Sequence, residues 1–151
     1  NRNFDGNWVE AATESAPAWR NFKGYSVFSE PESKAIRDFF AKHDFRAYIS
    51  YHSSGNLMYY WHWQSQVNQL RDYAFAKKIS NTTRYYIMPA QNKIGSGSSA
   101  DWFIKKYQRP GITMEISPYV GDTTVPLSYF ADIWKRNKTI GLLSAKESEN
   151  F

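Results

Sequence analysis

Residues 45–52 read Phe45-Arg46-Ala47-Tyr48-Ile49-Ser50-Tyr51-His52. Phe45, Ala47, Ile49 and Tyr51 alternate with Arg46, Tyr48, Ser50 and His52, a period of two that predicts a β-strand ending at His52. Outward from this strand the pattern changes. Upstream, Ser29-Glu30-Pro31-Glu32 predicts a helix start, with Ser29 as cap, Pro31 in the first turn and Glu32 three residues after Ser29. Ile36, Phe39 and Phe40 then supply an apolar stripe that carries the helix to about Lys42. Residues 1–28 show no period and read as loop, with one short turn of helix at most.

Downstream, "SSGN" (53–56) is a turn and "LMYYW" (57–61) a second short strand or extended segment. Val67, Leu70 and Ala74 recur at helical spacing within 64–79. "TRYYIMP" (83–89) predicts a strand stopped by Pro89, because proline has no N–H to donate to a ladder. The Gly/Ser-rich stretch that follows reads as a loop ending in a helix cap, with a short helix from Asp101 to Tyr107. In "GITMEIS" (111–117), Ile112, Met114 and Ile116 share one face, and Thr113 and Glu115 the other. A last helix is predicted from about Pro126 to Asn137, with Leu127, Phe130, Ala131 and Trp134 on one side. Strands separated by helices indicate an α/β layer architecture in one domain, 1–151. No internal repeat is present.

The chain has 151 residues, enough to bury a core, and 18% of them are aromatic. That richness suits a dense core or an aromatic-lined groove. The net charge is +5, which favours anionic surroundings without choosing among them. No basic run exceeds the pairs Lys77-Lys78, Lys105-Lys106 and Lys135-Arg136, so nucleic acid is not the expected partner. The absence of cysteine excludes disulfides and thiolate metal sites. No apolar stretch reaches the ~18 residues a membrane-spanning helix requires.

Three places invite chemistry. At the start, "NRNFDGNW" (1–8) sets Arg2 between the amides of Asn1 and Asn3, a donor set suited to a carboxylate or phosphate. A solvated arginine in an Asn-rich loop is the plainer reading. His52 ends its strand at the sheet edge where α/β ligands bind; the plainer reading is a histidine bonded to a backbone carbonyl. Glu115 stands in an apolar β-run, so it is paired, binds a metal, faces a cavity, or lies on a solvated edge. No HExxH, GxSxG, P-loop or GxGxxG motif occurs, and His43 and His62 have no spacing to His52 that completes a zinc site. The residues alone describe one half of an α/β site.

Together they resemble a family. "NRNFDGNW" (1–8), "GYSVFSEPESKAIRDFF" (24–40), "FRAYISYHSSGNLMYYWHW" (45–63) and "SSADWFIKKYQRPGITMEISPY" (98–119) look, in that order, like the C-terminal half of zinc metallocarboxypeptidases of the carboxypeptidase A/B type. The resemblance runs to about Leu143. It implies part of a mixed β-sheet flanked by helices. By resemblance, Asn1 and Arg2 match the pair that grips the terminal carboxylate of a substrate, and His52 matches the third zinc ligand. Glu115 matches the carboxylate that takes a proton from the attacking water and passes it to the leaving amine. Thr113 and Ala100 match positions lining the pocket for the terminal side chain. The resemblance further implies cis peptides at Ser53-Ser54 and Trp61-His62.

The departures count as well. The first two zinc ligands of the family lie on a His-x-x-Glu segment upstream of this chain, as does the arginine that polarises the scissile carbonyl. They are expected in a preceding half of the same domain, so this chain alone is expected to be inactive. The mobile tyrosine of the classical enzymes would fall in "AQNKIGSGSS" (90–99), near Lys93, where there is none. Ala100 replaces the acidic residue of basic-specific members. "DWFIKKYQRPGITMEI" (101–116) and "VPLSYFADIWKRN" (125–137) look closer to the bacterial branch, several of whose members cleave γ-D-glutamyl–diamino acid bonds in cell-wall peptides. The expectation is a zinc peptidase acting on a peptide or cell-wall peptide, extracellular or at a bacterial cell surface. A catalytically silent relative that binds such peptides is the alternative. Loop 91–99 and helix 126–137 are expected to border the cleft.

Overall fold

A computed structural model describes residues 2–11, 14, 16–91 and 96–151 of the chain. Helix α1 spans Pro31–Ala41, with proline in its first turn, where a missing N–H costs nothing. Its N-cap position is Glu30 rather than Ser29, and no side chain caps it. The Ser29 hydroxyl is engaged elsewhere: it donates to Glu30 Oε1 and accepts from Asn3 Nδ2.

Strand β1 covers Tyr48–His52, the C-terminal part of the alternating run. Phe45 is drawn out of the strand into an aromatic cluster, its ring 5.4 Å from Phe39 and 5.1 Å from Phe40. Strand β2 is Leu57–Tyr59. Helix α2, Gln66–Thr83, starts at Ser65, whose hydroxyl accepts from Asn68 N. It outruns its predicted end and stops at Arg84, which takes the left-handed conformation at φ 64°. That stop shortens the next predicted strand to β3, Tyr86–Ile87. Helix α3, Ser99–Tyr107, is capped by the Ser98 hydroxyl, which accepts from Asp101 N. It leads into β4, Gly111–Glu115. A 3₁₀ turn at Leu127–Tyr129 precedes α4, Phe130–Asn137. Helix α5, Ile140–Glu147, lies beyond the last predicted element.

The four strands form one mixed sheet in the order β1-β4-β2-β3. β1 and β4 are parallel, with Ser50 opposite Thr113 and His52 opposite Glu115. β2 runs antiparallel to β4, pairing Leu57 with Glu115 and Tyr59 with Thr113, and β3 lies parallel to β2. Because side chains alternate along a strand, Ile112 and Met114 go to one face and Thr113 and Glu115 to the other.

Helices cover the sheet through two apolar clusters. In one, Met58, Ile112 and Met114 pack with Phe75, Ala76 and Ile79 of α2, Tyr85, and Ile140 of α5. In the other, Phe40 of α1 meets Phe4, Trp102 and Phe103, with Tyr48 of β1 against it. The Phe40 and Trp102 rings stack at 5.7 Å. The layers are those of an α/β fold, and β1 and β4 both finish at the same edge. Among the described residues Ser53–Ser54 is the one cis peptide, as the resemblance implied; Trp61–His62 is trans.

Candidate functional site

A cavity of about 320 Å³ opens where β1 and β4 end. Arg2, His52, Thr113 and Glu115 line it, together with Tyr59, His62, Gln91, Ser96, Ser98 and Asp101. Three of the predicted elements of the site therefore converge: the strand ends of β1 and β4, and the opening loop. His52 and Glu115 are brought side by side by parallel register alone, which no local pattern in either strand reveals.

Arg2 reaches the cavity because its loop is stitched to the turn before α3. Phe4 N donates to Gly97 O at 2.9 Å, and Gly97 N to Gly6 O at 3.2 Å. Gly97 has φ +67°, and a Cβ there would stand 2.2 Å from the Arg2 carbonyl oxygen. Only glycine allows that approach. Asn3, read from the sequence as a second amide for anion binding, is committed to the loop instead. Its Nδ2 donates to Lys23 O, Ser26 O and Ser29 Oγ, and its Oδ1 accepts from Glu30 N and Ser33 Oγ. Asn1 and Lys93 lie outside the described residues.

Electrostatics follow from burial. The Glu115 carboxyl is pushed above the ordinary carboxylate range by desolvation, with Arg2 pulling the other way. The His52 imidazole is pushed down, again chiefly by burial and further by the positive charge of Arg2. A neutral imidazole with a lone pair to give thus sits opposite a carboxylate suited to proton transfer. His52 Nε2 also lies 3.1 Å from Ser50 Oγ. Tyr59 is pushed up by burial and by Glu115.

Thr113 lines the cavity as the resemblance implied. Ala100 is buried in the first turn of α3 and lies beside the lining residues Ser98 and Asp101 rather than among them. Its carbonyl packs against Gly111, 3.0 Å from where a Cβ would stand. Gln91, Ser96 and Ser98 put the flanks of loop 91–99 at the cavity, whereas residues 126–137 do not line it. α4 packs on α2 instead, where Arg136 Nη1 donates to Thr83 O and Asn137 Nδ2 to the Tyr85 hydroxyl.

His62, whose spacing to His52 completes no zinc site, lines the cavity all the same, a place that no local pattern predicts. In the sequence it is a lone imidazole between Trp61 and Trp63 in an aromatic run. Its Nδ1 stands 3.6 Å from Asp101 Oδ2, an electrostatic contact too long for a hydrogen bond. Burial lowers its pKa against the opposing pull of Asp101.

A family profile described as zinc carboxypeptidase matches residues 1–140. The chain is 25% identical over 137 residues to gamma-D-glutamyl-L-diamino acid endopeptidase 1 of Lysinibacillus sphaericus, covering 89% of this chain and 33% of that protein. It is 30% identical over 129 residues to carboxypeptidase B of Bos taurus, covering 77% and 31% respectively. The fold superimposes on the crystal structure of carboxypeptidase A from Helicoverpa armigera with a TM-score of 0.79 at 22% identity, over 99% of this chain and 41% of that one. The chain thus spans about a third of the length of these curated relatives. Its mixed sheet, its cavity at the ends of β1 and β4, and the profile match over residues 1–140 lead to one assignment: the chain belongs to the zinc carboxypeptidase family.

Proposed function

We propose that the full-length polypeptide containing this chain is a zinc-dependent peptidase that hydrolyses a peptide bond near a free C-terminal carboxylate. The observation that supports this reading best is the β1–β4 register, which faces a half-buried neutral imidazole with a half-buried carboxylate beside Arg2.

The donor chemistry fits one zinc ligand. His52 offers an imidazole nitrogen, while no group of three or more His, Cys, Asp or Glu gathers among the described residues. Further ligands would come from a preceding segment of the polypeptide. When bound, zinc supplies a positive charge that polarises the scissile carbonyl and acidifies the attacking water.

The residues of this chain do the rest. Glu115, its basicity raised by burial, takes the proton from the attacking water and delivers it to the leaving nitrogen. Arg2 holds the terminal carboxylate through a planar fork of donors. Thr113 and the aromatic wall of Tyr59, Tyr60 and Trp61 bound the space for the terminal side chain. The name of the Lysinibacillus sphaericus relative supports a substrate carrying a diamino acid; a cell-wall peptide of that kind would put the enzyme's action outside the cell.

The test compares one peptide as free acid and as C-terminal amide, using the zinc-loaded full-length polypeptide. The expected result is hydrolysis of the acid with a strong preference over the amide. No hydrolysis of either, with binding retained, would favour a catalytically silent peptide binder.

A further inference from the structure

The floor of the cavity holds a polar atom with no counterpart. His62 lines the cavity, is 3% exposed, and its Nε2 has no hydrogen-bond partner. Two other buried side-chain atoms among the described residues share that condition, Asn137 Oδ1 and Ser144 Oγ, and neither residue lines the cavity. A buried acceptor left unpaired destabilises the fold, so a partner that arrives with a ligand is the economical explanation.

His62 is tied down at its backbone, and its ring faces a carboxylate. His62 N donates to Gln64 Oε1 at 2.8 Å, and Gln64 Nε2 donates to Asp72 Oδ2 at 2.5 Å. Asp72 is fully buried in α2. At the other edge Asp101 Oδ2 faces Nδ1 and is itself fixed by Ser96 N and Ser96 Oγ. A carboxylate beside Nδ1 keeps the proton on that nitrogen and leaves Nε2 an acceptor. Lys105, whose charge also acts on His62, is engaged by Asp5 at 3.0 Å. The imidazole–carboxylate couple therefore carries net negative charge, with a buried, unpaired nitrogen at Nε2.

We propose that His62 is a specificity-determining residue whose Nε2 accepts a hydrogen bond from an amine on the side chain of the substrate's terminal residue. The inference rests on the peptidase reading for the identity of the occupant. An ammonium group gains both the acceptor and the charge of Asp101 behind it, which a hydroxyl or a methyl group does not.

The experiment uses the full-length polypeptide carrying Glu115→Gln, so that binding is read without turnover. Calorimetry compares peptides ending in lysine and in norleucine, which differ by an ammonium against a methyl group. Lysine should bind about tenfold or more tightly, since a site built to accept a hydrogen bond rejects the analogue lacking the donor. His62→Phe should cut the ratio to the smaller preference that Asp101 alone gives, and His62→Gln, which keeps an acceptor oxygen, should restore part of it. Equal binding by the parent, or a ratio untouched in His62→Phe, overturns the proposal. If His62→Phe does not fold, the ¹⁵N resonance of His62 Nε2 decides: it shifts with the lysine peptide and not with norleucine, and its indifference to both refutes the role. Failure of the unsubstituted protein to hydrolyse either peptide counts against the peptidase reading, while the binding ratio still judges His62.

Discussion

Arg2 and Asn3 are neighbours in sequence with different uses. Asn3 spends its amide on five contacts that tie the opening loop to Lys23, Ser26, Ser29, Glu30 and Ser33, and this leaves Arg2 at the cavity. Composition cannot distinguish the two, because both are polar residues in an unpatterned loop. Arg2→Ala should raise KM for free-acid peptides about 10- to 100-fold, the worth of a hydrogen bond to a charged group. It should leave the amide forms much less affected, as measured by steady-state kinetics on the full-length polypeptide. Equal losses on acid and amide would argue against a carboxylate anchor. Glu115→Gln is nearly isosteric but cannot carry a proton, so turnover should fall by about 10²–10⁴. Binding measured by calorimetry should change little, and a comparable loss of affinity would point to a structural role. The place of His52 and Glu115 at the cavity was legible because each ends or interrupts an apolar strand. His62 was not, because its partner Asp101 lies far along the chain and only the fold brings them together.

Elements were most legible where one periodicity ruled. β1, β4 and α1 lie where alternation or a helical stripe placed them, and errors gathered at the ends, where packing overrides pattern. Phe45 left the strand for an aromatic cluster, and Arg84 took a helix-ending conformation inside a run that reads as strand. α5 was missed because only Ile140 is fully buried, and its partner surface on α2 is not visible locally. α2 itself carries a buried charge with a measurable consequence. Asp72 accepts from Arg71 Nε at 2.7 Å and from Gln64, yet burial outweighs both and raises its pKa. A carboxyl with a raised folded-state pKa favours the folded state most when protonated. Its contribution is complete below the unfolded pKa and is lost as pH rises through the higher folded value. Asp72→Asn should remove that loss. Urea unfolding across the acidic range should show a flatter pH dependence in the variant, and parallel curves would mean that Asp72 ionises normally in the folded state.

At the scale of the molecule, the sheet, its order and its cavity are complete enough to superimpose on carboxypeptidase A at a TM-score of 0.79 over nearly the whole chain, while covering 41% of that structure. What the chain brings to a metal is smaller. Zinc sites use three or four protein ligands, and each one removed weakens binding steeply because the ion must keep water in its place. His52 is the one residue here that the resemblance assigns to zinc, and its neighbours at the cavity are better suited to other work: Glu115 to proton transfer, Asp101 to facing His62. The isolated 151-residue chain should therefore lose zinc on gel filtration, whereas the full-length polypeptide should retain about one equivalent, both read by atomic absorption. His52→Ala in the full-length polypeptide should lower that retention while leaving the secondary structure seen by circular dichroism in place, since His52 is half-buried at a strand end and outside both apolar clusters. Stoichiometric zinc on the isolated chain would mean that residues of this chain beyond His52 bind the ion, and the division of the site between two halves of the polypeptide would have to be redrawn.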